Sequence, residues 1–125
     1  MNTNLSEEKS IYLQIGQMIE DSILRGIFLE EERVPSTNEL AKLYSINPAT
    51  AAKGVNLLVE EGILYKKRGI GMFVASGSKE KIIMKRRGAF FDEYVIRLVN
   101  EAKSLGITPG ELIDMIRSAQ DRGEE

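Results

Sequence analysis

The chain has 125 residues, 42% of them apolar, which is enough for one compact domain with an appendage and too few for two full-sized domains. Cysteine and histidine are both absent, which excludes disulfides and most acid–base chemistry near neutral pH. We therefore expect that the protein is not an enzyme and that it binds neither a metal ion nor a cofactor. The net charge of −2 does not by itself indicate nucleic acid. With neither a membrane-spanning run nor a signal-peptide core in residues 1–10, we expect a cytoplasmic protein without a membrane partner.

The first element is an amphipathic helix that ends near Arg25. Its buried face is marked by isoleucines and a methionine at spacings of three and four: Ile11, Ile15, Met18, Ile19 and Ile23. Gly26-Ile27 then has the glycine and the hydrophobic residue of a left-handed helix C-terminus, and the same pair recurs at Gly62-Ile63 and Gly106-Ile107. Three helix ends are therefore predicted.

Two further helices follow an acidic connector at residues 30–32. Ser36 and Glu39 have the spacing of a capping box, which predicts a second helix to about Tyr44 that buries Leu40, Ala41 and Leu43. After a tight turn at Ser45-Ile46, Asn47 and Pro48 have the residue types of an N-cap and a first helical position. So short a turn predicts two helices that are not coaxial.

The third helix is predicted to bury Ala51, Val55, Leu58 and Val59. Its outward first turn then carries small and polar residues, Ala49 and Thr50, followed by Lys53. A helix, a tight turn and such a second helix is the layout that places a recognition helix in the major groove of DNA. The alternative is that the second helix of this pair is an ordinary surface helix, and the spacing alone favours neither interpretation.

A β-hairpin is predicted after the third helix. Two β-prone runs, residues 63–65 and 72–74, flank a basic tip at residues 66–71. Arg68 beside Gly69 offers a long cation on unobstructed backbone, which suits a phosphate or a minor groove, although a hairpin tip is also often just solvated. Between Ser36 and Val74 five basic side chains oppose three acidic ones. We interpret the hairpin as the wing of a winged helix.

Three motifs follow the first helix in order, at residues 35–41, 47–50 and 68–74. Together they resemble the GntR family of bacterial regulators over residues 11–75. The resemblance implies that helix 2, helix 3 and the wing contact DNA through Ser36, Thr37, Asn38, Asn47, Ala49, Thr50, Lys53, Lys66, Arg68, Gly69 and Gly71. The sequence departs from the family at Asn38, where many members carry arginine, at Ala52, where many carry a long polar residue, and at Glu30-Glu31, which replaces the usual Pro-Gly.

The remaining chain is predicted to be helical. Ser76-Gly77-Ser78 breaks the pattern, so we expect a winged domain at 1–75, a linker at 76–78 and a two-helix dimerisation tail at 79–125. A heptad seam predicts one long helix with Met84, Gly88, Phe91, Val95, Leu98, Ala102 and Leu105 on one side. Thr108 and Glu111 have capping-box spacing and start the last helix.

The tail exposes too much apolar surface for two helices to bury alone. The simplest explanation is that a second copy of the chain covers this surface in a dimer. The predicted interface residues are Phe91, Tyr94, Val95, Leu98, Ala102, Leu105, Leu112, Ile113 and Ile116. The alternative is that the tail folds back on its own winged domain.

The predicted fold class is mainly α with a small β-hairpin: an N-terminal winged helix-turn-helix followed by a two-helix tail. The predicted function is a dimeric, sequence-specific regulator on a palindromic double-stranded DNA operator. The tail resembles the YtrA subfamily, which implies repression of an ABC-type transporter operon and of the protein's own promoter. We expect no separate effector-binding domain in residues 79–125, and the sequence does not indicate which small molecule, if any, regulates the protein. The alternative is a winged-helix protein-interaction module without specific DNA binding.

Overall fold

The structure, a computed structural model, describes residues 10–123; the predicted polar segment 1–10 lies outside this range except for Ser10. Helices, one hairpin and one π-helical turn follow in the order α1 Ile11–Leu24, α2 Thr37–Tyr44, α3 Pro48–Glu60, β1 Leu64–Lys67, β2 Gly71–Val74, α4 Ser78–Phe90, π-turn Phe91–Val95, α5 Ile96–Ser104 and α6 Pro109–Gly123. This confirms the predicted fold class, a winged helix-turn-helix followed by helices. Within residues 10–123, no helix is both long and apolar enough to cross a membrane.

The chain divides into two compact units, unit 1 at Met1–Met84 and unit 2 at Lys85–Glu125. In unit 1 the predicted apolar face of α1 is confirmed, because Ile15, Ile19 and Ile23 are buried. They pack in one core with residues of α2, α3, the hairpin and the start of α4: Leu40, Tyr44, Val55, Leu58, Ile63, Leu64, Val74 and Ile82. Helices α1, α2 and α3 thus pack around one apolar core.

The three predicted helix ends are confirmed by their backbone hydrogen bonds. After α1, the N–H of Gly26 donates to the carbonyl of Ile23, and the N–H of Ile27 reaches back to Ser22 at 2.8 Å. Gly62-Ile63 and Gly106-Ile107 repeat the pattern. Ser45 makes the same turn after α2 with a φ of 53°, so α2 ends there and α3 begins only three residues later, at Pro48.

One prediction for α2 is wrong. Leu43 is 54% exposed, and Tyr44 is buried in its place. Successive residues of a helix are 100° apart, so a face that contains Leu40, Ala41 and Tyr44 is turned about 100° away from Leu43. The aromatic side chain therefore completes the core, and the leucine lies on the surface.

The wing is wider than the predicted hairpin. β1 and β2 pair in antiparallel register, with Tyr65 opposite Phe73 and Lys67 opposite Gly71. The acidic connector and the two residues after it also run along β2: the N–H of Glu31 donates to the carbonyl of Val74, the N–H of Val34 donates to that of Met72, and a β-bridge joins Arg33 to Phe73. The segment before α2 is thus fixed to the wing.

The predicted single long helix is interrupted. A π-helical turn at Phe91–Val95 separates α4 from α5. Because a π-turn closes each hydrogen bond one residue later than an α-helix does, the seam shifts around the helix axis at that point. The strict heptad prediction is therefore wrong beyond Phe91. The buried residues of α4 are Ser78 and Ile82, and neither belongs to that seam.

Candidate nucleic-acid interface

The N-terminus of α2 is fixed by the predicted capping box. The Ser36 hydroxyl accepts from the backbone N–H of Glu39 at 3.1 Å, and the Glu39 carboxylate accepts from the N–H of Ser36 at 3.2 Å. Hydrogen bonds from Ser36, and the weaker influence of the Arg33 charge, hold the pKa of Glu39 below its usual value. Thr37 is half-buried and Asn38 is exposed in the same first turn.

The N-terminus of α3 presents its first turn to solvent. The side-chain oxygen of Asn47 accepts from the N–H of Ala49 at 2.8 Å, which confirms Asn47 as the N-cap with Pro48 at the first helical position. Ala49 is exposed and Thr50 half-buried. Small side chains here leave the backbone of α3 open to close approach by a partner.

Lys53 lies one turn further along α3 and contacts α1. Its Nζ is 4.1 Å from the centre of the Tyr12 ring, a cation–π distance. Behind this contact α1 and α3 are close, since a Cβ on Gly54 would lie only 2.6 Å from the carbonyl oxygen of Tyr12. The sequence reasoning missed Tyr12, whose helical spacing alone does not show that it meets Lys53.

The wing tip is a basic, exposed reverse turn. Gly69 has a φ of 77°, and the N–H of Ile70 donates to the carbonyl of Lys67 at 2.9 Å. Arg68 is exposed at the apex, as is Lys66 on β1. Lys67 is placed differently, since its Nζ lies 4.5 Å from the Phe73 ring centre.

Arg33 is a second residue that the sequence reasoning missed. Its side chain lies against Gly71 and ends 3.7 Å from the Glu39 carboxylate. The connector that carries it has no strand pattern in the sequence, so nothing local indicated that it would lie beside the wing.

The acidic connector uses its carboxylates to hold the base of the wing. Glu31 accepts hydrogen bonds from the Tyr65 hydroxyl and from the Ser76 hydroxyl. The bond to Tyr65 is the main reason why the pKa of Glu31 is lowered and that of Tyr65 raised. Glu31 has a φ of 66°, the left-handed conformation that glycine adopts readily. In the described part of the chain, no group of three or more acidic residues could hold a metal ion.

All predicted DNA-contact residues therefore lie in unit 1. Because α3 packs against both α2 and β1, the structure brings the three predicted surfaces into one framework. Seven of these residues are exposed and four are half-buried: the exposed ones are Asn38, Asn47, Ala49, Lys53, Lys66, Arg68 and Gly69, and the half-buried ones are Ser36, Thr37, Thr50 and Gly71.

The predicted dimer residues lie in unit 2, and most of them are exposed. Phe91, Tyr94, Leu98, Leu105, Ile113 and Ile116 are exposed, whereas Val95 and Leu112 are half-buried. Ala102 differs, because it is only 6% exposed and lies at a small cavity between α5 and α6 together with Val99, Ile107 and Leu112. The ring of Tyr94 packs on Phe90 with centres 5.3 Å apart.

Residues 11–74 match the family described as bacterial regulatory proteins, gntR family. The chain is 29% identical over 107 residues to the HTH-type transcriptional repressor YtrA of Bacillus subtilis (strain 168), which covers 86% of this chain and 82% of YtrA. A crystal structure of a GntR-family protein from Bacteroides thetaiotaomicron is 38% identical, with a TM-score of 0.74 over 90% of this chain and 98% of that one.

A structure solved on DNA is also similar to part of the chain. The structure of AraR(DBD) in complex with operator ORX1 is 33% identical, with a TM-score of 0.52, and covers 60% of this chain and 92% of that one. These similarities confirm the predicted family, the likeness to YtrA and the prediction of a regulator instead of an enzyme. The chain belongs to the GntR family of bacterial regulatory proteins and is a DNA-binding transcriptional regulator.

Proposed function

We propose that this regulator is a homodimeric repressor that binds a palindromic operator in front of its own gene and of an operon for an ABC-type transporter. It acts in the cytoplasm, where the chromosome is. The observation that carries the proposal is the combination, within unit 1, of an exposed α3 first turn and a basic wing tip. Part of the chain, 60% of its length, resembles a domain solved on an operator.

In this proposal, α3 reads base edges in the major groove. Ala49 and Thr50 let the helix approach closely, and Lys53 supplies a cation for a phosphate or a guanine. Because Asn47 uses its side-chain oxygen to cap α3, its contribution to DNA is mainly to hold this first turn in place. Each well-formed bidentate base contact contributes about 1 to 3 kcal/mol of discrimination.

The α2 surface and the wing complete the proposed contact with DNA. Ser36, Thr37 and Asn38 lie at the N-terminus of α2, where backbone N–H groups and the helix dipole favour a phosphate. Arg68, with Gly69 beside it, enters the minor groove or contacts its phosphates. Lys66 and Gly71 flank this tip on the two strands.

The dimer is proposed to form through unit 2. Its exposed side chains include large apolar residues on both α5 and α6, such as Leu98 and Ile113, and Leu105 at the end of α5 is 66% exposed. Exposed apolar area of this kind marks an interaction surface, and a second copy offers the same residues in return. Ala102 contributes little area to it, because it is buried inside unit 2.

The test compares the wild-type chain with Lys53→Ala and Arg68→Ala on a fluorescent duplex of its own upstream intergenic DNA. Each variant is expected to bind about tenfold more weakly, the effect of losing about 1.4 kcal/mol from a charged contact. Arg25→Ala is the matched control, since it removes the same charge from the exposed C-cap of α1. The interaction-module alternative predicts equal binding by all four proteins.

A further inference from the structure

Arg33 has a backbone position that two elements fix. It forms a β-bridge with Phe73, and the next residue, Val34, donates its N–H to the carbonyl of Met72 at 2.9 Å. Ser36, three residues after Arg33, is the N-cap of α2. Arg33 therefore lies between β2 of the wing and the start of α2, and both the wing tip and the N-terminus of α2 are proposed to contact DNA.

The Arg33 side chain lies next to the Cα of Gly71. A Cβ built on Gly71 would lie 2.7 Å from Nε of Arg33, 3.4 Å from its Cδ and 3.6 Å from its Cγ. Contacts under 3.0 Å do not occur between real Cβ atoms and their neighbours, so any side chain at position 71 would displace the arginine. The glycine thus provides the space in which the guanidinium group is held.

Among residues 10–123, the guanidinium group has only a weak partner. Its Nη2 is 3.7 Å from Oε1 of Glu39, and the two side chains are 54% and 60% exposed. An exposed pair at this distance contributes little to stability. Glu39 already accepts a hydrogen bond from the N–H of Ser36, so its carboxylate keeps a partner when the arginine leaves.

We propose that Arg33 binds a DNA backbone phosphate, exchanging the Glu39 carboxylate for the phosphate when DNA binds, and that Gly71 is needed to keep its side chain in place. A guanidinium group suits this exchange because it remains charged and offers several donors in one plane. The inference rests on the proposed function, since it requires that the α2 and wing surfaces of unit 1 meet DNA.

The experiment measures fluorescence anisotropy of the full chain on its upstream duplex and on a scrambled duplex across a salt series. Arg33→Ala is expected to weaken both by about tenfold and to reduce the slope of log affinity against log salt by about 1, as for one lost phosphate contact. Arg33→Lys keeps the charge and is expected to retain the slope. Arg25→Ala is expected to leave affinity and slope unchanged.

Two further variants test the arrangement around the arginine. Glu39→Gln keeps the capping box, because glutamine also serves at that position, but removes the competing charge. It is expected to tighten binding by about two- to fivefold, the range of a weak exposed ion pair. Gly71 also has a φ of 146°, where any side chain strains the backbone, so Gly71→Ala is read through the salt slope and not through affinity. The slope is expected to fall in the wild-type background and to stay unchanged when Arg33→Ala is already present.

The outcomes separate this inference from the proposed function. If the wild-type chain binds its duplex and Arg33→Ala leaves the slope unchanged, the phosphate contact is wrong and the proposed function stands. A lower affinity without a change in slope indicates a structural role for Arg33 and also overturns the inference. A wild-type chain that binds neither duplex overturns both.

Discussion

Substitution of Gly54 by alanine tests how closely α3 is held to α1. A Cβ at this position would lie 2.6 Å from the carbonyl oxygen of Tyr12 and 3.2 Å from Cβ and Cγ2 of Ile15. The first neighbour is backbone, so it cannot rotate aside as a side chain could. The two helices therefore have to move apart, which shifts α3, the proposed recognition helix.

The expected magnitude follows from two opposing effects. Alanine is about 1 kcal/mol better than glycine inside a helix, which favours the variant. Overpacking of a tight core costs about 1 to 3 kcal/mol, and contact with backbone places this site at the upper end. We expect Gly54→Ala to lower the free energy of unfolding by about 2 kcal/mol, with a fall in Tm of about 4 to 8 °C for each kcal/mol.

The assay is thermal unfolding followed by circular dichroism at one fixed protein concentration, because association makes Tm depend on concentration. Gly16→Ala is the matched control: its Cβ would meet the Gly54 carbonyl oxygen at 3.7 Å and Leu58 at 3.8 Å, which are ordinary contacts. The control is expected to be neutral or to raise Tm. A Gly54→Ala protein as stable as the control would refute the close packing of α1 and α3.

The other predictions concern acid stability, association and capping. Because the pKa of Glu31 is lowered from 4.5 in the folded protein, its carboxylate stabilises the fold above pH 4.5, and that contribution is lost as the pH falls through the folded pKa. Glu31→Gln is expected to flatten this part of the profile of Tm against pH, and an unchanged profile would contradict the prediction. In light scattering, the wild-type chain is expected to have the mass of a dimer and Leu98→Asp the mass of a monomer. A wild-type chain that is monomeric at micromolar concentration would contradict the proposed dimer. Ser36→Ala is expected to lower the free energy of unfolding in urea by about 1 kcal/mol, against no loss for the exposed Ser118→Ala inside α6, where alanine is the better helix former.

Local features of the fold could be predicted from the sequence. The apolar face of α1 depends only on helical spacing, and the ends of α1, α3 and α5 depend on glycine–isoleucine pairs whose hydrogen bonds stay within six residues. The capping box of Ser36 and Glu39 is local in the same way. The same kind of short-range rule also predicted the start of α3 at Asn47-Pro48 and the hairpin turn.

Features that depend on distant partners could not be predicted. The connector pairs with β2 although its acidic residues have no strand pattern, and its Glu31 bonds to Tyr65, 34 positions away. The contact of Lys53 with Tyr12 and the path of Arg33 across Gly71 exist only once α1, α3 and the wing are packed. The π-turn at Phe91–Val95 shifts a seam whose residue types would fit an uninterrupted helix equally well.

The most direct test of the central claim is fluorescence anisotropy of the full wild-type chain on its own upstream intergenic duplex against a scrambled duplex, repeated across a salt series. The account predicts tight binding to the upstream duplex that exceeds binding to the scrambled one and weakens as salt increases. Equal binding to both duplexes at moderate salt, or binding to neither, would contradict an operator in front of the gene and would favour the protein-interaction module.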